Sequence, residues 1–215
     1  MEFASVIHLL HGTAAGCLAT QSTQMPGYPF ASTLPFVADE QHHPVFLISR
    51  LAEHTKNLIA DCRASFLVHS SNGQSALTSE RISLLGDVER IKAPTELVAR
   101  YIRYQPDAER YLAFGDFAFF RLAPKGARYV AGFGQMGWVA ESDWNSAAVL
   151  PLVDEERLVH DLIEAQPAGM RLLGLDRYGF DIERAGKKER QRFPKGPLAA
   201  DRMAENVKRF FRPCD

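Results

Sequence analysis

Short runs of β-forming residues, spaced regularly over the first 133 residues, constrain the fold more than any other feature of this sequence. Each run is bounded by a cluster of Gly, Pro, Asn or Asp, and this pattern is typical of strands separated by tight turns. Spacing of this regularity predicts a β-meander or barrel. The predicted strands cover residues 14–20, 30–37, 45–49, 64–69, 81–91, 117–122 and 128–133, with turns at 25–27, 39–44 and 71–73.

Helical periodicity interrupts these strands in a few places. Phe3, Ile7 and Leu10 recur at helical spacing before Gly12, which predicts an opening helix over residues 2–11. A second helix is predicted to cross between two strands at residues 53–62. Further helices are predicted at 94–104, with Pro94 in the first turn, and at 107–114.

The rest of the chain is predicted to form a separate small unit. Residues 134–151 carry two tryptophans and few periodic apolar positions, so we expect a long loop there. The domain boundary is placed within it, giving domains at 1–145 and 146–215. The second domain reads as α-β-β-β-α, with Asp154 as the N-cap of its first helix. Its elements are predicted at residues 154–165, 170–175, 179–183, 189–193 and 198–211.

Composition narrows the class of protein. A formal net charge of −1 over 215 residues argues against a surface built as a whole for nucleic acid or anionic lipid. Neither a signal peptide nor an apolar segment of membrane-spanning length is present, so we expect a cytoplasmic protein with no membrane partner. Cys17, Cys62 and Cys214 form no CxxC pair, which predicts reduced thiols and no metal site.

A possible phosphate site follows the third barrel strand. Thr55, Lys56 and Asn57 lie where a helix is predicted to begin, and Ser49 and Arg50 end the strand before it. A helix N-terminus offers unpaired N–H groups and the positive end of the helix dipole, so these residues could form a cradle for a phosphate. In the alternative interpretation, Thr55 only caps the helix while Arg50 and Lys56 point into solvent.

These residues belong to a wider pattern. The chain resembles the pyridoxamine 5′-phosphate oxidase-like FMN-binding split barrels, and within them the haem-utilisation (HugZ-type) branch, in which a barrel precedes a small α+β domain. The resemblance predicts an α+β fold, an antiparallel split β-barrel followed by the small α-β-β-β-α domain. The residues that carry it are Gly27-Tyr28-Pro29, Ser32, Pro35-Phe36, Leu47-Ile48-Ser49-x-Leu51-Ala52-x-His54-Thr55-x-Asn57-Leu58, Asp116-Phe117, Phe120-Arg121-Leu122, Arg128-Tyr129-Val130, Gly132-Phe133-Gly134 and Gly174-x-Asp176-x-x-Gly179-Phe180-Asp181.

The resemblance implies FMN bound between the two subunits of a homodimer. Ser32 and Thr33 would then face the edge of the isoalloxazine ring, and Trp138 would close the site from the partner subunit. His54 is the histidine expected nearest the flavin, and in the alternative interpretation it only shapes the loop. The dimer is also expected because an aromatic surface around Phe117, Phe119 and Phe120 would need a partner. The residues that the resemblance places at the phosphate are Ser49, Arg50, Thr55, Lys56 and Asn57.

Haem is the alternative cofactor. The haem-utilising relatives are expected to ligate iron through a histidine near the C-terminus, whereas no histidine follows His160 here and the tail offers only Cys214. The sequence therefore predicts weak haem binding without one defined axial ligand. The other histidines are expected at the surface: His8 and His11 on the opening helix, His42 and His43 in a solvated turn.

Two further groups of residues allow two interpretations each. Tyr101, Arg103 and Tyr104 could belong to a pocket for a substrate phosphate, or to an amphipathic helix that packs on the barrel. A basic cluster near the C-terminus could attract a polyanion, or protect a solvated sheet edge. Its members are Arg184, Lys187, Lys188, Arg190, Arg192 and Lys195.

Three functions remain open on this sequence. The first is an FMN-dependent oxidoreductase acting on a small molecule that the sequence does not identify. The second is a haem-binding or haem-handling protein without flavin turnover. The third is a nucleic-acid or protein interaction of the basic C-terminal domain, of which nucleic-acid binding is the less expected.

Overall fold

A large antiparallel sheet forms most of the molecule. The computed structural model describes residues 3–70, 78–131 and 136–212. The strand order in the large sheet is β2-β1-β5-β6-β7-β4-β3, and β8 also pairs with β7. This arrangement confirms the predicted split-barrel fold. The strands are β1 Ala15–Gln21, β2 Pro29–Pro35, β3 Val37–Ala38, β4 Pro44–Ser49, β5 Arg63–His69, β6 Glu80–Arg90, β7 Phe117–Ala131 and β8 Met136–Ala140.

Strand β7 differs from its prediction. Two strands at 117–122 and 128–133 were expected, because Pro124 and Gly126 resemble a turn, but one strand runs from Phe117 to Ala131. A register shift between Leu85 and Gly86 of β6 accommodates the irregular stretch. A Cβ at Gly86 would lie 2.1 Å from the carbonyl oxygen of Ala123, so only glycine fits there. Residues 132–133, like the predicted turn at 71–73, lie outside the described residues.

The predicted loop at 134–151 is also wrong over much of its length. It contains β8 and a short helix, α5 Glu141–Asn145. Trp144 of α5 is buried, with the ring of Phe3 packed edge-on at 5.0 Å. The strand was missed because Val139 is its one buried side chain, which leaves no period-2 pattern in the sequence.

A smaller antiparallel sheet completes the chain, in the strand order β11-β10-β9. It confirms the predicted second unit. Helix α6 begins at Leu152 with Pro151 as its N-cap, so Asp154 lies in the first turn and is not the cap. The remaining elements are α1 Phe3–Gly12, α2 Glu53–Ala60, α3 Thr95–Tyr104, α4 Ala108–Leu112, α6 Leu152–Asp161, a 3₁₀ turn Ile163–Ala165, β9 Met170–Asp176, β10 Gly179–Arg184, β11 Lys187–Arg192 and α7 Ala200–Phe211.

Each sheet has its own hydrophobic core. The large sheet closes around Leu18, Phe46 and Phe66, and the small sheet packs with α6 and α7 around Leu162 and Met203. Helix α1 lies against β10 and β11, while α3 lies against β9 and α6. The two units are therefore in direct contact, and the boundary at residue 145 stays a prediction.

The aromatic surface that was expected to require a partner is largely internal. Phe120 packs in the core of the large sheet, and Phe119 meets the ring of Tyr101 of α3 at 5.3 Å. The sequence could not reveal this, because Phe119 and Phe120 point to opposite faces of β7 and both faces are covered, one by α3 and the other by the core of the large sheet. The predicted homodimer must rest on other residues.

Two predictions from composition can be compared with the structure. Cys17 and Cys62 are free thiols, as predicted, and Cys214 lies outside the described residues. Within residues 3–70, 78–131 and 136–212, no helix combines the length and apolar character needed to span a bilayer. The cytoplasmic location stays a prediction.

Candidate functional site

A cleft of about 460 Å³ opens where β4 and β7 meet the start of α2 and the α3–α4 pair. This volume is within the range of small-molecule sites. Tyr111 stacks on Phe117 at 5.0 Å, forming one aromatic wall. Aliphatic side chains of β2 and β4 form most of the rest, and a few polar groups line it as well. Its lining includes Leu34, Leu47, Ile48, Tyr111, Phe117 and His54.

His54 is a titratable side chain that lines the cleft. Its Nδ1 lies 3.2 Å from the Ser32 hydroxyl, whereas its Nε2 is buried and has no hydrogen-bond partner among the described residues. Burial lowers the pKa of His54, so the imidazole is neutral at pH 7. If Nδ1–H donates to Ser32, Nε2 keeps a free lone pair, which is the form that binds a metal ion.

The five residues predicted to bind a phosphate have different roles in the structure. Thr55 and Asn57 are fully buried. The Thr55 hydroxyl donates to the Ser49 carbonyl at 2.7 Å, and the Asn57 amide donates to the Thr20 hydroxyl at 3.0 Å while accepting from Thr23. Ser49 donates to Asp116 at 2.5 Å. Thr55 and Asn57 therefore fasten α2 to the sheet, whereas the bond of Ser49 joins the end of β4 to the residue before β7.

The interpretation of Thr55 as the helix cap is wrong, because the N-cap is Ala52, which makes no side-chain cap. Arg50 and Lys56 are exposed at the start of α2, with the Lys56 ammonium 3.6 Å from Glu53. They are the two predicted residues whose charge could still reach a phosphate. The assignment of all five residues to a phosphate stays a prediction.

The remaining predicted site residues lie on the outer face of the sheet or near it. Thr33 is exposed on β2, next to the half-buried Ser32. Trp138 is 66% exposed and pairs with Arg128 of β7, whose guanidinium lies 5.8 Å from the indole ring. Arg128 is eleven residues along β7 from Phe117, about 35 Å of strand. Trp138 of the same chain therefore lies far from the cleft.

A second polar cluster, which we call the interdomain network, was not predicted. His11 Nε2 lies 2.9 Å from His42 Nδ1, and His11 Nδ1 lies 3.2 Å from Asp176. Arg190 lies 2.8 Å from Asp176 and 3.4 Å from Asp181. The prediction that His8, His11 and His42 are surface groups is therefore wrong.

Burial explains the electrostatics of this network. Burial lowers the pKa of both His11 and His42, so they are neutral at pH 7. Burial alone would raise the pKa of Asp176, but Arg190 overcomes this effect and keeps the carboxylate ionised. The pairing of charges across the interface is what makes their burial tolerable.

The members of the basic cluster differ in burial, because alternate residues of the strand that carries them face opposite sides. Arg190 is buried in the interdomain network and Lys188 lies beneath the surface against Tyr104, whereas Lys187, Arg192 and Lys195 are exposed. The interpretation of the cluster as a solvated edge is thus wrong for Lys188 and Arg190. The alternation of basic residues along 188–192 was the available signal, since alternate strand residues share one face.

For helix α3, the structure supports the second of the two interpretations, an amphipathic helix that packs on the barrel. Tyr101 is buried and accepts a hydrogen bond from the Leu47 amide at 3.2 Å, and burial raises its pKa to about 12. Tyr104 donates to Asp181 at 2.7 Å, and Arg103 lies 3.1 Å from Glu155. Arg100, which the sequence analysis passed over, pairs with the same glutamate. The helix therefore packs on the barrel and joins the two units.

The sequence profile of the family described as "CREG, beta-barrel" matches residues 5–146. The chain belongs to this family. The CREG barrel thus spans the large sheet and ends at α5. Its membership confirms the resemblance to the split barrels of the pyridoxamine 5′-phosphate oxidase type, including the haem-utilisation branch.

Individual relatives agree with this placement. "Non-canonical heme oxygenase HOZ, chloroplastic" of Arabidopsis thaliana is 29% identical over 197 residues, which is 81% of this chain and 60% of that protein. This chain thus spans less than two thirds of the Arabidopsis protein. "Heme oxygenase HutZ" of Vibrio cholerae is 28% identical over 133 residues, covering 59% of this chain and 74% of HutZ.

A solved structure resembles the whole chain. The protein Atu2129 of Agrobacterium tumefaciens, whose function is unknown, superimposes with a TM-score of 0.71 at 23% identity, covering 90% of this chain and 88% of that one. At this level of identity the likeness concerns the fold. The barrel and the small α+β unit therefore occur together in another protein.

Proposed function

We propose that this protein binds haem in the cleft, where Nε2 of His54 would hold the iron. The observation that carries the proposal is the burial of that nitrogen without a hydrogen-bond partner among the described residues. An unpaired buried nitrogen normally costs stability, so such a group in a cleft is a candidate for ligand binding. Imidazole nitrogen is also a common axial ligand of haem iron.

The walls of the cleft suit a porphyrin. Leu34, Leu47 and Ile48 provide aliphatic contacts, and Tyr111 and Phe117 present aromatic rings. Burial of the porphyrin's large apolar face against such walls is favourable. The two haem oxygenases that resemble this chain support the same class of ligand.

The chain's own groups would hold the ligand in a defined way. Donation from His54 Nδ1–H to the Ser32 hydroxyl, 3.2 Å away, would fix the tautomer and the ring orientation. Haem, when bound, supplies the redox and oxygen chemistry of its iron. The role of this chain would be to orient the iron through His54 and to exclude water with the apolar walls.

FMN is the competing ligand. The exposed charges of Arg50 and Lys56 at the start of α2 favour it, since a phosphate could meet both there. Against it, the side chains of Thr55 and Asn57 are already hydrogen-bonded within the protein. We therefore place haem handling ahead of flavin-dependent oxidation.

Haem titration followed by absorbance tests the proposal. The parent should bind one haem per chain with a single defined Soret band, and His54→Ala should weaken binding by about tenfold or more, since loss of 1.4 kcal/mol is tenfold. Added imidazole should restore the parent spectrum in this variant. His160→Ala is the matched control, because that side chain is 82% exposed and distant in sequence.

Two results would contradict the proposal. One is weak binding by the parent without a defined axial ligand, which the absence of a late histidine predicts. The other is an unchanged spectrum in His54→Ala. Retention of binding by His160→Ala and its loss in His54→Ala together would support His54 as the ligand.

A further inference from the structure

A second cavity, of about 300 Å³, lies between α1 and β11 and shares no lining residue with the cleft. Its walls are mostly polar. Lys188, Arg190 and Arg192 alternate along β11, so their side chains share one face, and His8 and Thr13 approach from α1. Three cations on one wall give the cavity a positive potential.

Lys188 is half-buried here, and its ammonium makes one hydrogen bond among the described residues. Its ammonium donates to the Thr13 carbonyl at 3.4 Å and lies 4.6 Å from the centre of the Tyr104 ring. An ammonium has three donors, so two are left for a ligand. Burial, followed by Arg100 and Arg190, lowers the pKa of Lys188 to about 8, and it is still mainly charged at pH 7.

The three cations differ in whether a nearby carboxylate neutralises their charge. Arg190 is paired with Asp176 and Asp181 in the interdomain network. For Lys188 and Arg192, by contrast, the described residues place no carboxylate within 4 Å. These two positive charges therefore remain available to an anion.

His8 supplies a neutral donor. Arg190 Nε donates to His8 Nδ1 at 3.3 Å, which places the proton of the neutral ring on Nε2. Burial first, then the charges of Arg190 and Arg192, lowers the pKa of His8 to about 4. The ring is thus held in one tautomer, and its Nε2–H group has no hydrogen-bond partner among the described residues.

Two carboxylates also line the cavity, and both are engaged. Glu80 accepts a hydrogen bond from the Tyr129 hydroxyl at 3.0 Å, and Glu189 lies 4.0 Å from Arg184. Because both carboxylates are negatively charged, they limit the negative charge that a ligand in the cavity can carry. A volume of about 300 Å³, at the lower end for ligand sites, limits the size of the ligand.

We propose that this cavity binds a small molecule through a phosphate or carboxylate group, held by Lys188, Arg192 and the Nε2–H of His8. This site is independent of the haem proposal. Charge-assisted hydrogen bonds from a half-buried ammonium and a guanidinium suit both oxyanions. Phosphate and carboxylate are distinguished by the test.

Isothermal titration of the full chain in chloride-containing HEPES, with inorganic phosphate in one arm and succinate in the other, tests this inference. Arg192→Gln should weaken binding of the preferred anion by about ten- to a hundredfold. Arg192 is exposed, so this variant should fold. Lys187→Gln is the control, because it removes the same charge from the same strand but does not line the cavity.

Binding of either anion by the parent, lost in Arg192→Gln and kept in Lys187→Gln, would support the site, and the preferred anion would identify its ligand class. The proposal would be overturned if the parent bound neither anion. It would also be overturned if both variants lost affinity equally. Haem binding by Arg192→Gln should equal that of the parent, so this site and the haem site can fail separately.

Discussion

In the 47–58 segment, the position of a residue around helix α2 determines whether its side chain is buried or exposed. Thr55 and Asn57 turn inward and fasten α2 to the sheet, while Lys56 between them faces solvent. His54 lies at the edge of the cleft. The sequence identified this segment, but the hydrogen bond from Asn57 depends on Thr20 of β1, which is 37 positions away in the chain.

Lys56 gives the residue-scale prediction. If FMN is bound at the start of α2, Lys56→Ala should weaken it by about ten- to a hundredfold, because a charge-assisted contact to its phosphate is lost. Riboflavin, which lacks the phosphate, should be little affected. Flavin fluorescence quenching measures both, with Lys195→Ala as the control. Equal losses for FMN and riboflavin would exclude a phosphate contact at Lys56.

At the scale of elements, α1 and the turn at 39–43 connect the two units. They bring His11 and His42 against Asp176 of β9, and Arg190 of β11 completes the interdomain network. Gly174 of β9 allows α3 and α6 to approach the same strand, since a Cβ there would lie 2.5 Å from both Glu155 and Tyr104. Small and charged residues of four elements thus depend on one another.

The buried histidines predict a loss of stability in acid. The lowered pKa of His11 and His42 means that the unfolded chain takes up protons below pH 6.5 while the folded chain does not. The free energy of unfolding should therefore fall as the pH falls from 6.5 towards 4, by up to about 1.4 kcal/mol per pH unit for each histidine. Urea unfolding at pH 7, 6 and 5 measures this.

A variant pair separates these histidines from the rest. His11→Asn should make the free energy of unfolding less dependent on pH, whereas His160→Ala should leave the dependence as in the parent, because His160 is exposed. Equal stability of the parent at pH 7 and pH 5 would contradict the assignment of neutral buried histidines.

At the scale of the whole molecule, the outer face of the large sheet carries several exposed apolar side chains among polar ones. Leu67, Ser83, Arg128 and Trp138 lie in register across β5, β6, β7 and β8. Leu85, next to this row, is exposed as well. Exposed apolar side chains such as Leu67, Leu85 and Trp138 are often found at an interface between subunits.

We therefore expect a homodimer formed through this face, with two-fold symmetry. Sedimentation velocity at micromolar concentration should show a dimer for the parent, and the double variant Leu85→Asp with Trp138→Asp should shift it to a monomer, because two charges would be buried. Ile59→Asp, on the exposed side of α2, is the control. A monomeric parent would exclude the dimer, and a dimeric double variant would place the interface elsewhere.

The sequence by itself determined most of the strands and helices and the family, because period-2 runs, turn residues and the 47–58 pattern are local. Only the tertiary structure decided that β7 is a single strand, since the shift at Gly86 belongs to its neighbour β6. It also decided which charges are buried. His11 and Asp176 meet across 165 positions of sequence, and local periodicity indicates the face of an element but never its partner.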